Sequence, residues 1–278
     1  MLTIFTIPKP FQGLSRIIQR NALQSWIALE PKCEVVMCGG EEGLSETASE
    51  FGIFQMREIS KNRFGTPLIS AAFESVRKFA GRDTLAYVNA DMILMQDFID
   101  AVKKIDLPSF LMIGRRWDLN VDREMHFHNG NWQEDLRYRV RSEGKLHGLS
   151  GIDYFVFPRH WEHNLPPFAV GRPGWDNWLI FHARTLKVPV IDATACLTAV
   201  HQNHESVYRT RKREVEENIR IGGLDRMSTI RDADWILDEK GLRRSPYPRR
   251  LLSVFLLSRP GSTFLLMKRK AQNFFAYR

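Results

Sequence analysis

Residues 84–94, Thr84-Leu85-Ala86-Tyr87-Val88-Asn89-Ala90-Asp91-Met92-Ile93-Leu94, decide the fold. TLAYV reads as a buried strand that ends at Asn89-Ala90-Asp91, and a second apolar run follows at once. An acid placed there stands at the open edge of a sheet. Working upstream, residues 2–7 (LTIFTI) form a strand candidate and 14–29 have helical spacing. CEVVMCGG (33–40) is a short apolar run ending in glycines, as expected of a buried strand entering a loop. Residues 43–51 look helical, and 53–59 (IFQMREI) read as a short strand. Gly65-Thr66-Pro67 opens another helix, with Thr66 as N-cap and Pro67 at the first helical position. Strands alternating with helices predict βαβ units and a mainly parallel sheet. Ligands of such sheets bind beyond the carboxyl ends of the strands, here Pro8-Lys9-Pro10, Gly39-Gly40-Glu41 and Asn89-Ala90-Asp91.

Downstream, FLMIGRRWDL (110–119), GIDYFVF (151–157) and VPVIDAT (188–194) read as strands, and 175–186 as a helix. Trp, His, Gly and Asp are dense between 114 and 204, a composition suited to a substrate-facing half. A charged helical stretch is expected from about 212 to 240, followed by a basic tail.

The chain has 278 residues, 44% of them hydrophobic, enough for one sizeable core. The expected division is a catalytic domain over 1–242 and a basic amphipathic, helical tail over 243–278. The tail holds nine Lys/Arg and no Asp/Glu, so of the net +8 it leaves residues 1–242 at about −1. A nearly neutral domain argues against nucleic acid as the main substrate. The tail segment RRLLSVFLLSRPGSTFLLMKRKAQNFF (249–275) mixes cationic and apolar residues. It suits an anionic inner-leaflet surface, or a pair of helices packed on the domain. The N-terminus lacks a basic leader before a long apolar stretch, and no run of about 18 apolar residues exists. Cys33, Cys38 and Cys196 form no CxxC pair, so reduced cysteines in a cytoplasmic protein are expected.

Three constellations could carry chemistry. Asp91 at a strand end can hold Mg2+ or Mn2+, which in turn binds a diphosphate; the plainer reading is an Asn/Asp turn. Gly171-Arg172-Pro173-Gly174-Trp175-Asp176-Asn177-Trp178 presents a carboxylate between tryptophans, suited to deprotonating a sugar hydroxyl stacked on an aromatic face. An ordinary N-cap Asp beside core tryptophans fits equally. His201-Gln202-Asn203-His204 offers imidazoles for metal or phosphate, although a lone satisfied histidine is the commoner case. Lys9, Arg63, Arg115 and Arg116 fall at ligand edges, where arginine forks suit phosphate and solvated charge is the alternative.

Together these stretches resemble bacterial glycosyltransferases of the GT-A type, the nucleotide-diphospho-sugar transferase superfamily. The resemblance is carried over residues 1–208 by Thr6-Ile7-Pro8-Lys9-Pro10-Phe11, Gln19-Arg20-Asn21-Ala22 with Ser25-Trp26, Asn89-Ala90-Asp91, Gly114-Arg115-Arg116-Trp117-Asp118, Asp153-Tyr154-Phe155-Val156-Phe157-Pro158, Gly174-Trp175-Asp176-Asn177-Trp178 and His201-Gln202-Asn203-His204. It implies a GT-A-like (Rossmann-like) α/β fold and a hexosyltransferase-like enzyme. Such an enzyme moves a sugar from a nucleotide-diphosphate donor, UDP-sugar favoured, to a glycan or glycolipid hydroxyl with Mn2+ or Mg2+. Asp91 and His201 would be metal ligands, Asp176 the base and Asp153 the reserve acceptor-side carboxylate. Pro8, Lys9, Glu41, Asn62, Arg63, Asn89, Arg115 and Arg116 would face the donor. Asn89 replaces the first acid of the family's Asp-x-Asp motif, so its contacts to ribose or metal are those of a neutral group. A sugar nucleotidyltransferase and a non-catalytic carbohydrate-binding relative of the fold are the competing readings. Polysaccharide or glycolipid assembly, at the inner membrane face through the tail, is the general expectation.

Overall fold

A computed structural model describes residues 2–127, 130–204 and 211–246. Its first half alternates as the sequence predicts: β1 (Leu2–Thr6), α1 (Gly13–Ile27), β2 (Glu34–Cys38), α2 (Leu44–Phe51), β3 (Phe54–Met56), α3 (Ile69–Phe79) and β4 (Thr84–Val88). Then come β5 (Met92–Ile93), α4 (Gln96–Lys103), β6 (Leu111–Ile113), β7 (Trp117–Leu119), α5 (Trp132–Glu143), β8 (Lys145–Leu146) and β9 (Tyr154–Pro158). The described chain closes with α6 (Trp175–Thr185), β10 (Val190–Asp192), β11 (Val200–Gln202), α7 (Lys212–Gly222), β12 (Trp235–Asp238) and β13 (Gly241–Arg244).

Two sheets form. The larger has the order β13-β12-β10-β6-β9-β4-β1-β2-β3 and is mainly parallel, with β9 antiparallel to both neighbours and β13 antiparallel to β12. The smaller has the order β5-β11-β7-β8. Strand β4 shows why the large sheet is buried on both faces, since successive side chains of a strand point oppositely. Ala86 and Val88 join Ile4, Trp26, Met37 and Phe98 beneath α1 and α4. Leu85 and Tyr87 join Phe5, Phe73 and Phe157 beneath α3 and α6. A third cluster, with Ile93, Leu119, Val200, Trp132 and Leu136, packs α5 on the small sheet.

The link Asn89-Ala90-Asp91 carries the chain from the large sheet to the small one. Asn89 N–H bonds to the Asp153 carbonyl, one residue beyond β4, and Met92 N–H bonds back to the Asn89 carbonyl. The indole of Trp26 donates to the Met92 carbonyl at 2.9 Å, and Ser25 Oγ accepts the Leu94 N–H. Helix α1 thus pins the far side of this link through buried polar groups.

Several sequence expectations are corrected. Residues 110–119 are two strands in different sheets, because the chain turns at Gly114-Arg115-Arg116. A side chain at Gly114 would meet the Tyr154 hydroxyl at 1.9 Å, so only glycine fits where the chain leaves the large sheet. Helix α3 starts at Ile69, not at Pro67. Pro67 sits in a bridge with Lys61, and the Thr66 hydroxyl bonds to Glu214 rather than capping the helix. The helix expected up to about 240 stops at Gly222, and its second half is the hairpin β12–β13. Asp238 accepts the Lys240 N–H and Gly241 adopts φ +111°, turn chemistry that wins once β12 can pair with β10. Strand β13 runs to Arg244, across the expected domain boundary at 242–243. Residues 247–278, and with them most of the expected helical tail, lie outside the described residues. Among the described residues no helix is long and apolar enough to cross a membrane. All three cysteines are free.

Candidate metal centre and its surroundings

Asp91, His201 and His204 offer ligand atoms that all lie within 4.8 Å of one another. His204 Nε2 is 2.9 Å and His201 Nε2 3.7 Å from Asp91 Oδ2. The other oxygen, Asp91 Oδ1, is buried and has no hydrogen-bond donor among the described residues. A buried carboxylate oxygen normally finds a donor. One carboxylate with an open buried oxygen and two imidazoles make a donor set that suits a divalent transition-metal ion.

Strand register builds the cluster. In the small sheet His201 pairs with Met92 of β5 on one side and with Asp118 of β7 on the other. Gln202, fully buried, donates to the carbonyls of Ile18 and Asp91 and accepts from Asn21 of α1. That arrangement fixes the end of β11, from which His204 returns toward Asp91. Lys9 follows β1, held by Gln19 of α1, which accepts the Lys9 N–H and donates to its carbonyl. Its ammonium lies 3.4 Å from His204 Nε2. Burial opposes ionisation of Asp91, but His201, the hydrogen bond from His204 and Lys9 outweigh it and hold the carboxyl well below the usual carboxylate range.

A second polar layer adjoins the first. Asn89 donates its amide to Asp153 Oδ1, and Arg116 binds Asp153 Oδ2. Arg116 Nε also donates to Asp118 Oδ1 at 3.0 Å, and His147 Nδ1 lies 2.6 Å from Asp118 Oδ2. Burial pushes the Asp118 carboxyl up, but its hydrogen bond with His147, the His201 ring beside it and the charge of Arg116 prevail and keep it well below its ordinary range.

The structure therefore brings together Lys9, Asn89, Asp91, Arg116, Asp153 and His201 from the sequence-derived set. Other members have separate placements. Arg115 is occupied by backbone carbonyls, with Nε donating to His147 O at 2.7 Å. Glu41 pairs with Lys61 at 3.0 Å, and Arg63 is exposed beside Glu217. Asn62 uses its side-chain oxygen to accept the N–H groups of Phe64 and Thr66. Pro8 is buried just beyond the end of β1, and exposure begins at Lys9. Asp176 lies buried in the first turn of α6, where its Oδ1 accepts the Gly174 N–H at 3.2 Å. Its neighbour Trp175 packs 5.2 Å from Tyr87 and 4.9 Å from Phe155, setting the start of α6 against the strands that lead to Asn89 and from Asp153.

Sequence reasoning singled out the pair His201 and His204 but chose only His201 as a ligand, and it gave no role to Asp118 or His147. A spacing of three suggests a shared face only in a helix, and here the chain leaves the strand after Gln202. The polar Gln19, Asn21 and Ser25 within an otherwise apolar α1 were the available sign that this helix serves a buried polar site.

No protein-family model matches the chain, and no curated protein matches it in sequence. Among solved structures, glucosyl-3-phosphoglycerate synthase from Mycobacterium tuberculosis, in complex with Mn2+, uridine diphosphate and glucosyl-3-phosphoglycerate, matches with a TM-score of 0.50 at 13% identity. The match covers 82% of this chain and 80% of that one. A mycobacterial protein matches with a TM-score of 0.50 at 11% identity, over 81% of this chain and 74% of its own. The mannosyltransferase PcManGT from Pyrobaculum calidifontis, in complex with GDP-Man and Mn2+, matches with a TM-score of 0.49 at 13% identity over 80% of this chain. This chain spans only 62% of that mannosyltransferase. The chain has the mainly parallel α/β fold of the GT-A-type nucleotide-diphospho-sugar transferases.

Proposed function

We infer that this GT-A-type chain is a glycosyltransferase that moves a sugar from a nucleotide-diphosphate donor to a hydroxyl acceptor. One observation carries the reading: Asp91, His201 and His204 converge at the carboxyl end of β4, with a buried carboxylate oxygen left open. Strand ends of such sheets are where nucleotides bind, and the complex of the M. tuberculosis synthase with uridine diphosphate contains Mn2+.

Asp91, His201 and His204 would hold Mn2+ or Mg2+, which supplies Lewis-acid charge to the diphosphate. The remaining chemistry belongs to side chains. Lys9, exposed beside His204, offers a movable ammonium to a phosphate oxygen. Asp153 is held by Asn89 and Arg116, which suits it to fixing the site rather than to accepting a proton. Asp176 remains the base for the acceptor hydroxyl, whose oxygen attacks the anomeric carbon as the nucleoside diphosphate departs. Glu41, Asn62, Arg63 and Arg115 act by shaping the loops around the donor. UDP-sugar is the favoured donor and a glycan or lipid-linked hydroxyl the acceptor. The place of action is the cytoplasm, with the basic tail bringing the enzyme to an anionic inner membrane face.

The test is a thermal-shift screen of UDP-, GDP-, dTDP- and CMP-sugars with and without Mn2+. Ligands that bind only the folded chain raise its melting temperature, by about 2.7 kcal/mol of stability at a hundredfold excess over Kd. A nucleotide-selective, Mn2+-enhanced shift that vanishes in Asp91→Ala is expected. No shift with any donor would refute the reading.

A further inference from the structure

We propose that Asp118 is a positioning residue for the metal site, orienting His201 so that its Nε2 faces Asp91. The proposal rests on the reading of Asp91, His201 and His204 as metal ligands. Asp118 touches none of the reacting groups and acts through the ring of His201.

Backbone register, rather than a chance rotamer, sets the pair. β7 and β11 run parallel with Asp118 and His201 as direct partners, so their side chains stand side by side on one face of the small sheet. His201 Nδ1 lies 3.5 Å from Asp118 Oδ1, at the outer limit of hydrogen bonding, while Nε2 lies 3.7 Å from Asp91 Oδ2. The two ring nitrogens thus face two different carboxylates. Nδ1 is buried and has no hydrogen-bond partner among the described residues, and the Asp118 carboxylate beside it is the acceptor it faces.

Asp118 is itself fixed from two sides. Arg116 Nε donates to Oδ1 and His147 Nδ1 sits 2.6 Å from Oδ2. Two imidazoles and a guanidinium converge on one carboxylate, and the arrangement continues through Arg116 and Asp153 to Asn89. A metal-ligating imidazole that donates its second N–H to a carboxylate has its tautomer and ring plane fixed, and loss of that partner lowers metal affinity by about 10–100-fold. The small sheet then has a definite task. It pairs β7, which bears Asp118, with β11, which bears His201, and sets β5 so that Asp91 precedes it on the other side, leaving one histidine between two carboxylates.

Mn2+ itself is the probe, added to the full-length chain without donor and followed by electron paramagnetic resonance. Wild type, Asp91→Ala, Asp118→Asn, Asp118→Ser and His147→Gln are titrated, after checking that the metal-free melting temperatures agree. Wild type binds and Asp91→Ala does not. Asp118→Asn and Asp118→Ser raise Kd by about 10–100-fold, while His147→Gln, which spares the contact with His201, stays within about threefold of wild type. In a His204→Ala background the nitrogen hyperfine coupling to Mn2+ reports His201, and it disappears on adding Asp118→Asn. Wild-type Kd and unchanged nitrogen coupling in either Asp118 variant would overturn the assignment alone. A loss in His147→Gln equal to that in Asp118→Asn would overturn it too, by assigning the effect to the whole network. Failure of wild type to bind Mn2+ would instead remove the metal reading and this assignment with it.

Discussion

The side-chain amide of Asn89 donates to one oxygen of Asp153 while the guanidinium of Arg116 holds the other. An acid at position 89 would press a second carboxylate against Asp153 in a half-buried setting. Asn89→Asp is therefore expected to lower stability by about 1–3 kcal/mol, measured as a fall in the urea midpoint at pH 7. An unchanged or higher midpoint would mean that Asp153 needs no donor from this side.

Asp176 can be separated from its structural role, acceptance of the Gly174 N–H in the first turn of α6, by a conservative change. The side-chain oxygen of Asn can accept the same N–H, so Asp176→Asn should leave the melting temperature close to wild type. As the general base it should nonetheless lose about 10²–10⁴-fold in kcat, with donor affinity retained. Transfer at the wild-type rate would return Asp176 to a structural role.

Glu214, in the first turn of α7, is buried with Arg172 at 3.2 Å, Arg211 at 3.1 Å and the Thr66 hydroxyl at 2.6 Å. Removing it strands the buried Arg172 guanidinium. Glu214→Ala is expected to cost about 3–5 kcal/mol, and the double variant with Arg172→Ala should recover part of that loss. If the single change proves as mild as a surface ion pair, the cluster is better solvated than its burial indicates.

His163 is enclosed by Phe157, Trp161 and Phe73, with ring centroids at 4.2, 4.4 and 5.2 Å. Burial pushes its pKa down to about 3 from the ordinary 6.5. Between those values the unfolded chain binds a proton that the folded chain refuses. This group therefore subtracts stability as pH falls below 6.5, with a slope approaching about 1.4 kcal/mol per pH unit. Melting curves between pH 7 and 5 should fall more steeply for wild type than for His163→Gln; parallel curves would place the acid sensitivity elsewhere.

The large sheet was legible because β1, β2 and β4 are continuous apolar runs that end in Pro, Gly or Asn/Asp, and periodicity reads such runs well. The small sheet was not. Its strands β5, β7, β8 and β11 are two or three residues long, too short for any period to register. Asp91 and His201 were visible as polar residues beside apolar runs, but their meeting depends on pairings that only the folded chain reveals. Asp118 and His147 carry no local mark, because their importance lies in a cross-strand neighbour. The hairpin at 235–244 was missed for a related reason: its charged residues suit an exposed helix, and only an open edge at β10 makes a strand of Trp235–Asp238.

The carboxylate of Asp91 precedes its partner His204 by 113 residues. Synthesis runs in that order, so a nascent chain exposes Asp91 long before either imidazole leaves the ribosome. Strands β1 to β4 can associate early, while the cluster is closed only when β11 slots between β5 and β7. The cluster thus forms late and all at once, and a chain arrested before Val200 would hold most of a sheet but neither imidazole partner of Asp91.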